Sequence, residues 1–166
     1  MSDFQKYKAD LTKRLKRAQK VAVEDHKIGG LSVRSIDPEA ISWFRENWEN
    51  HSQRIAEWDW SHSDHRPDKG VNVAIWHEDM LCGLASGELT ANAVRLDFVE
   101  AFPGTNPLKG SIIPIALTVC DAYANLTDRE HLRVAGVSED LVSIYERFGF
   151  EVESKRGNVH VMRRKD

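Results

Sequence analysis

The chain has 166 residues and a mass of 18.9 kDa, enough for one domain around a single core. Hydrophobic residues at 41% and charged residues at 30% exclude a disordered or fibrous chain. The net charge of −3 hides an asymmetry: residues 1–20 carry seven bases against two acids, so a basic arm precedes an acidic body.

In chain order, Phe4, Tyr7, Leu11, Leu15, Ala18 and Ala22 recur every three or four residues and predict an amphipathic helix with a narrow apolar stripe. Gly29 and Gly30 end it, and residues 31–36 alternate as a strand. Asp37 and Pro38 supply an N-cap and a first helical position for a helix that runs towards Asn50. A further helical stretch is expected over 53–57 and a polar loop over 59–70. Strands follow over 71–76, 80–89 and 93–102, separated by turns, and a loop over 103–107 leads to an apolar helix over 111–126. A strand over 132–137, a helix capped by Ser138 and stopped at Gly149, and strands over 150–153 and 159–164 complete the chain. The longest mainly apolar run, 112–120, is nine residues with Pro114 inside it, too short to cross a bilayer. Cys82 and Cys120 lie in apolar stretches and read as small buried hydrophobes rather than a disulfide framework or nucleophiles. With a charged N-terminus that lacks a signal-type apolar region, they favour a reduced, cytoplasmic setting.

The most specific stretch is 141–150, Leu-Val-Ser-Ile-Tyr-Glu-Arg-Phe-Gly-Phe. It resembles the C-terminal motif of the GNAT family of N-acetyltransferases, in which a short helix of this pattern precedes a strand. The order of elements over about 31–166 fits the same family. The resemblance implies an α+β fold, a twisted, mixed but mostly antiparallel sheet with helices on both faces. Here that domain would cover 29–166, behind a basic amphipathic helix over 1–28. It further implies transfer of an acetyl group from acetyl-coenzyme A, as cosubstrate, to a primary amine by direct attack in a ternary complex.

In that family the pyrophosphate is held by a Gln/Arg-x-x-Gly-x-Gly/Ala turn that opens a helix. Backbone amides and a helix N-terminus suit an anion, and glycine lets them approach it. The matching stretch here is Lys109, Gly110, Ser111 and Ile112, with Ile112 and Pro114 where glycines are usual. Proline is sterically tolerated in a first helical turn but removes one amide donor. The backbone of Ala101 and Phe102 is expected to pair with the pantetheine arm like an added strand.

On spacing alone Tyr145 reads as a core aromatic beside Ile144 and Phe148; the resemblance makes it the acid that protonates the departing thiolate. Strand alternation puts Val94, Leu96, Phe98 and Glu100 on one face, so Glu100 interrupts an apolar row and is the candidate base, unless it simply ends the strand in solvent. The resemblance puts Trp58, Asp59, Trp60 and His62 near the acceptor site, and acids and indoles suit a cationic amine. The bland alternative is tryptophans packed on the core under a solvated loop. A metal set of His62, Asp64 and His65 is a weak pattern. The runner-up function is the same fold with a weakened coenzyme site, acting as an interaction or regulatory module through its basic helix. That helix suits packing on the body or on a second copy in a homodimer better than nucleic acid.

Overall fold

A computed structural model describes residues 1–62 and 70–164. Helix α1 (Asp3–His26) opens on a capping box: Ser2 Oγ accepts from the Gln5 amide at 3.1 Å, and Gln5 Oε1 from the Ser2 amide at 2.9 Å. It ends where Lys27 turns left-handed, ahead of the two glycines. The expected stripe is divided. Leu15, Ala18 and Ala22 are buried in the main core, whereas Phe4 and Tyr7 stand exposed near the N-terminus. Gln19, buried beside them, donates to Ser35 Oγ at 3.1 Å and to the Asn72 carbonyl at 3.0 Å, so its amide is satisfied.

Strand β1 (Leu31–Arg34) leads to α2 (Pro38–Asn47), whose N-cap Asp37 accepts from the Ala40 amide at 2.8 Å with Pro38 at the first helical position. The helix expected over 53–57 does not form; residues 48–62 hold turns and irregular backbone. Five residues of local helix are marginal on their own. Arg54 instead reaches Glu100 and donates to the Trp58 carbonyl at 2.6 Å, while Trp60 is fully buried.

Strands β2 (Gly70–His77), β3 (Met80–Leu89) and β4 (Ala93–Ala101) form an antiparallel meander with β1. Helix α3 (Ile112–Leu126) crosses over to β5 (His131–Ser138), which runs parallel to β4. Helix α4 (Glu139–Arg147), β6 (Phe150–Arg156) and β7 (Val159–Arg164) follow. The sheet has the order β1-β2-β3-β4-β5-β7-β6, mixed but mostly antiparallel, as expected. Its two faces carry separate cores. Val71, Val73 and Ile75 face α1 and α3, whereas Ala74 and Trp76 face the aromatic cluster of Phe44, Trp48 and Trp60. Among the described residues no helix is long and apolar enough to cross a membrane.

One register shift decides the site. Ser86 pairs with Phe98 and Gly87 with Leu96, so β4 slips by one residue at Asp97. A Cβ at Gly87 would lie 1.9 Å from the Arg95 carbonyl oxygen, a closeness only glycine allows. The simple alternation of β4 therefore fails. Val94 and Leu96 face α3, but Phe98 and Glu100 turn to the aromatic side. Just there the parallel pairing ends, with Leu96 opposite Val134 as its last pair, and β4 and β5 part.

If α1 belongs to the core, Leu15→Ala should cost ~2–5 kcal/mol of global stability, while Phe4→Ala at an exposed position changes it by less than about 0.5 kcal/mol. Urea denaturation of both variants checks this; an unchanged midpoint for Leu15→Ala would mean a helix that folds apart from the body.

Candidate active site

Beyond the last β4–β5 pair a cleft of about 930 Å³ opens along the end of β4. One wall is Val99, Glu100, Ala101 and Phe102 from the end of β4, and another is Ile144, Arg147 and Phe148 from α4. The turn into α3 closes it with Lys109, Gly110, Ile112, Ile113 and Pro114, and residues 53–56 with Trp58 form its rim.

The end of β4 offers an open edge. Phe102 donates its amide to the Cys82 carbonyl at 2.9 Å, across to β3. By alternation the amides of Val99 and Ala101 point the other way, into the cleft. Ala101 thus has its amide on the cleft side, whereas Phe102 offers its ring and not its N–H. The loop to α3 is held by Asn106, whose Nδ2 donates to the Cys82 carbonyl at 2.9 Å and whose Oδ1 accepts from the Leu108 amide at 2.9 Å. Gly110 is left-handed with φ +87, and a Cβ there would touch nothing within 4 Å, so the demand for glycine is torsional. Ser111, the N-cap of α3, uses its amide on the Leu108 carbonyl at 2.9 Å and makes no side-chain cap; it is outside the cleft lining. In the first turn Ile112 and Ile113 keep amides without intrahelical acceptors, and Pro114 has none to give. Lys109 and Arg147 add positive side chains to the positive helix end.

Glu100 ends neither in solvent nor in an apolar row. Its side chain is 8% exposed, and Arg54, 7% exposed, binds it through two nitrogens at 2.7 and 3.0 Å. Trp60 Nε1 donates to the same carboxylate at 2.8 Å. The Glu100 contact holds the Arg54 guanidinium pKa above its ordinary value against the opposing effect of burial. The guanidinium also lies 4.9 Å over the Phe44 ring. Sequence reading missed Arg54. A signal existed: an acid predicted inside a sheet face needs an opposite charge, and Arg54 is a lone base among Glu46, Glu49, Glu57 and Asp59.

Tyr145 is buried behind the α4 wall of the cleft and does not line it. It is 4% exposed, packs edge-on against Phe150 with centroids 6.0 Å apart, and is absent from the lining to which its neighbours Ile144 and Arg147 contribute. Burial pushes its phenol up to about 12. Of the expected acceptor residues, Trp58 lines the cleft, with its ring 5.0 Å from Phe98. Trp60 is core, and Asp59 faces a separate polar hollow with Arg45, Glu49, Asn50 and Ser61. Asp59 accepts from the Ser61 hydroxyl at 2.6 Å and amide at 3.0 Å, which lowers its pKa. His62 is exposed, and the metal alternative depends on Asp64 and His65, which lie outside the described residues. Both cysteines are buried, and burial pushes the Cys120 thiol up to about 12.

The sheet order, with β4 and β5 parallel and parting beyond Leu96 and Val134, and the helices around it are those of the GNAT N-acetyltransferase fold, and this chain has that fold. The PaiA N-acetyltransferase of Thermoplasma acidophilum, solved in complex with coenzyme A, is 16% identical, with a TM-score of 0.55 over 82% of this chain and 99% of its own. The ribosomal-protein-S18-alanine N-acetyltransferase of Escherichia coli is 11% identical, with a TM-score of 0.61 over 81% of this chain and 92% of its own. An Arabidopsis thaliana protein solved with the bisubstrate analogue CoA-Ac-MVNAL is 12% identical, with a TM-score of 0.54 over 82% of this chain and 99% of its own. No protein-family model matches the sequence, and no curated protein matches it significantly.

Replacing Glu100 by Gln keeps the shape but leaves Arg54 buried without its counter-charge, which should cost ~3 kcal/mol or more. Adding Arg54→Met to Glu100→Gln should recover part of that loss. Urea denaturation of the single and double variants measures both; additive losses would mean that the pair is not coupled.

Proposed function

We propose that the chain transfers an acetyl group from acetyl-coenzyme A to a primary amine. The observation that carries this is the cleft itself: an open β4 edge on one side, and a positive helix end with Lys109 and Arg147 at its mouth. These are the parts an extended amide-bearing arm and a pyrophosphate require. Acetyl-coenzyme A supplies the activated carbonyl: a C–N bond forms, the C–S bond breaks, the sulfur gains a proton and the amine loses one. The amides of Val99 and Ala101 would hold the arm, and Gly110, Ile112 and Ile113 with Lys109 and Arg147 would hold the phosphates. Pro114 leaves this cradle one amide short, so the two cations carry more of the binding than glycine-rich turns ask of theirs.

Proton movement is assigned to solvent. Glu100 already serves Arg54 and Trp60, so in this reading it fixes the 53–60 segment rather than taking a proton. A phenol pushed up to about 12 gives its proton to a thiolate reluctantly, roughly a hundredfold less favourably than one at its ordinary pKa near 10. The acceptor then reacts as its free amine, and turnover rises with pH towards the pKa of that amine.

Two observations favour the second reading, an interaction module: Pro114 stands where the cradle needs a donor, and Phe4 and Tyr7 are exposed on the basic α1. The two readings separate by thermal unfolding with coenzyme A, with desulfo-coenzyme A and ATP as controls. Ligand at about 100 times its dissociation constant should add roughly 2.7 kcal/mol, a rise of several degrees. Lys109→Glu with Arg147→Glu should abolish the rise. No rise at millimolar coenzyme A would reject the enzyme and leave the module.

Tyr145→Phe should keep kcat within about threefold and leave the alkaline limb of the pH profile in place. A loss of about a hundredfold or more would return Tyr145 to the role of acid.

A further inference from the structure

We propose that the amine acceptor is a monoamine carried beside an apolar or aromatic group, and that polycationic amines are poor acceptors; this rests on the acetyl-transfer reading above. Acids and indoles together on residues 57–62 point to a cationic acceptor, but the fold separates them. Trp58 turns into the cleft, whereas Glu57 is exposed outside its lining and Asp59 faces another hollow, held by Ser61. The rim that remains is Gln53, the paired Arg54, and the apolar Ile55, Ala56 and Trp58, with Phe102 in the same lining.

Among the described residues the one carboxylate in the lining is Glu100, and its charge is already matched by Arg54 at 2.7 and 3.0 Å. A second ammonium group on the acceptor would therefore meet a neutral pair and an apolar wall. Among the described residues the lining holds no unmatched anion to receive it, and its desolvation there would go uncompensated. An apolar neighbour of the amine would instead cover Ile55, which stands 96% exposed, and the half-exposed Trp58. Trp58 is a fixed platform for such a group, because Phe98 and Trp60 brace its ring at centroid distances of 5.0 and 6.1 Å.

The test compares 2-phenylethylamine and tryptamine with spermidine and a lysine-rich peptide, after the unfolding experiment with coenzyme A. Two quantities are read: kcat/KM for each amine, and binding of 2-phenylethylamine by tryptophan fluorescence in the presence of coenzyme A. The aromatic amines should be preferred by about tenfold or more, the worth of one good apolar contact. Ile55→Glu, a change at a fully exposed position that leaves folding intact, should raise KM and weaken fluorescence-detected binding for 2-phenylethylamine about tenfold, lower KM for spermidine, and alter kcat little. Spermidine as good as or better than tryptamine in the wild type would overturn the proposal, as would an Ile55→Glu variant with unchanged ranking. Coenzyme A binding without binding or turnover of either aromatic amine would also overturn it while sparing the transferase reading. Absence of coenzyme A binding removes both, and the unfolding experiment shows which has failed.

Discussion

Where Gly87 passes Arg95, β3 and β4 approach so closely that no side chain fits between them, and the pairing slips by one residue. The slip sets which way everything beyond it points. With regular alternation Glu100 would face α3 alongside Leu96; after the slip it faces the aromatic layer built on α2. The change of direction coincides with the last paired residues of β4 and β5, so the same few residues turn the acid and free the strand edge. A bulge beside a functional cleft re-aims side chains without lengthening the strand.

Glu100 then organises a stretch that has no regular structure of its own. A bidentate bond from Arg54 and one from Trp60 fix residues 54 and 60 to the same carboxylate, and Arg54 closes the loop on itself through the Trp58 carbonyl. Between those anchors the chain sends Ile55, Ala56 and Trp58 to the cleft and leaves Asp59 outside. The cost is two buried charges, which offset one another only while both are present and hydrogen-bonded. The ion pair is therefore better understood as a device that shapes the rim than as a source of net stability.

Local signals carried the fold. Asp37 with Pro38, the apolar run into α3, and Ser138 with Gly149 around α4 each act within a few residues, and each set its element to within about three residues of where the sequence placed it. What escaped the sequence depends on partners far along the chain. The helix expected over 53–57 lost to an ion pair spanning 46 positions. Phe98 and Glu100 changed face because of a contact between Gly87 and Arg95 on neighbouring strands. Tyr145 is an intermediate case: its spacing alone marked it as core, the family resemblance made it an acid, and its burial against Phe150 agrees with the spacing. A motif can thus preserve a side chain's place in the packing while leaving its chemistry to be established separately.

On the acetyl-transfer reading proposed above, the mouth of the cleft is an anion site with a rebalanced donor set. A glycine-rich turn binds phosphate with neutral amides, whose contribution depends on close approach and hardly on salt. Pro114 removes one such donor, and the isoleucines before it leave less room beside the other two. Positive charge remains at the α3 end and on Lys109 and Arg147, both exposed. Exposed cations attract an anion over a longer range but are screened by salt. Affinity for a phosphate-bearing ligand at this mouth should then fall with ionic strength more steeply than an amide cradle would allow, which makes the ionic strength of the medium part of the site's specification.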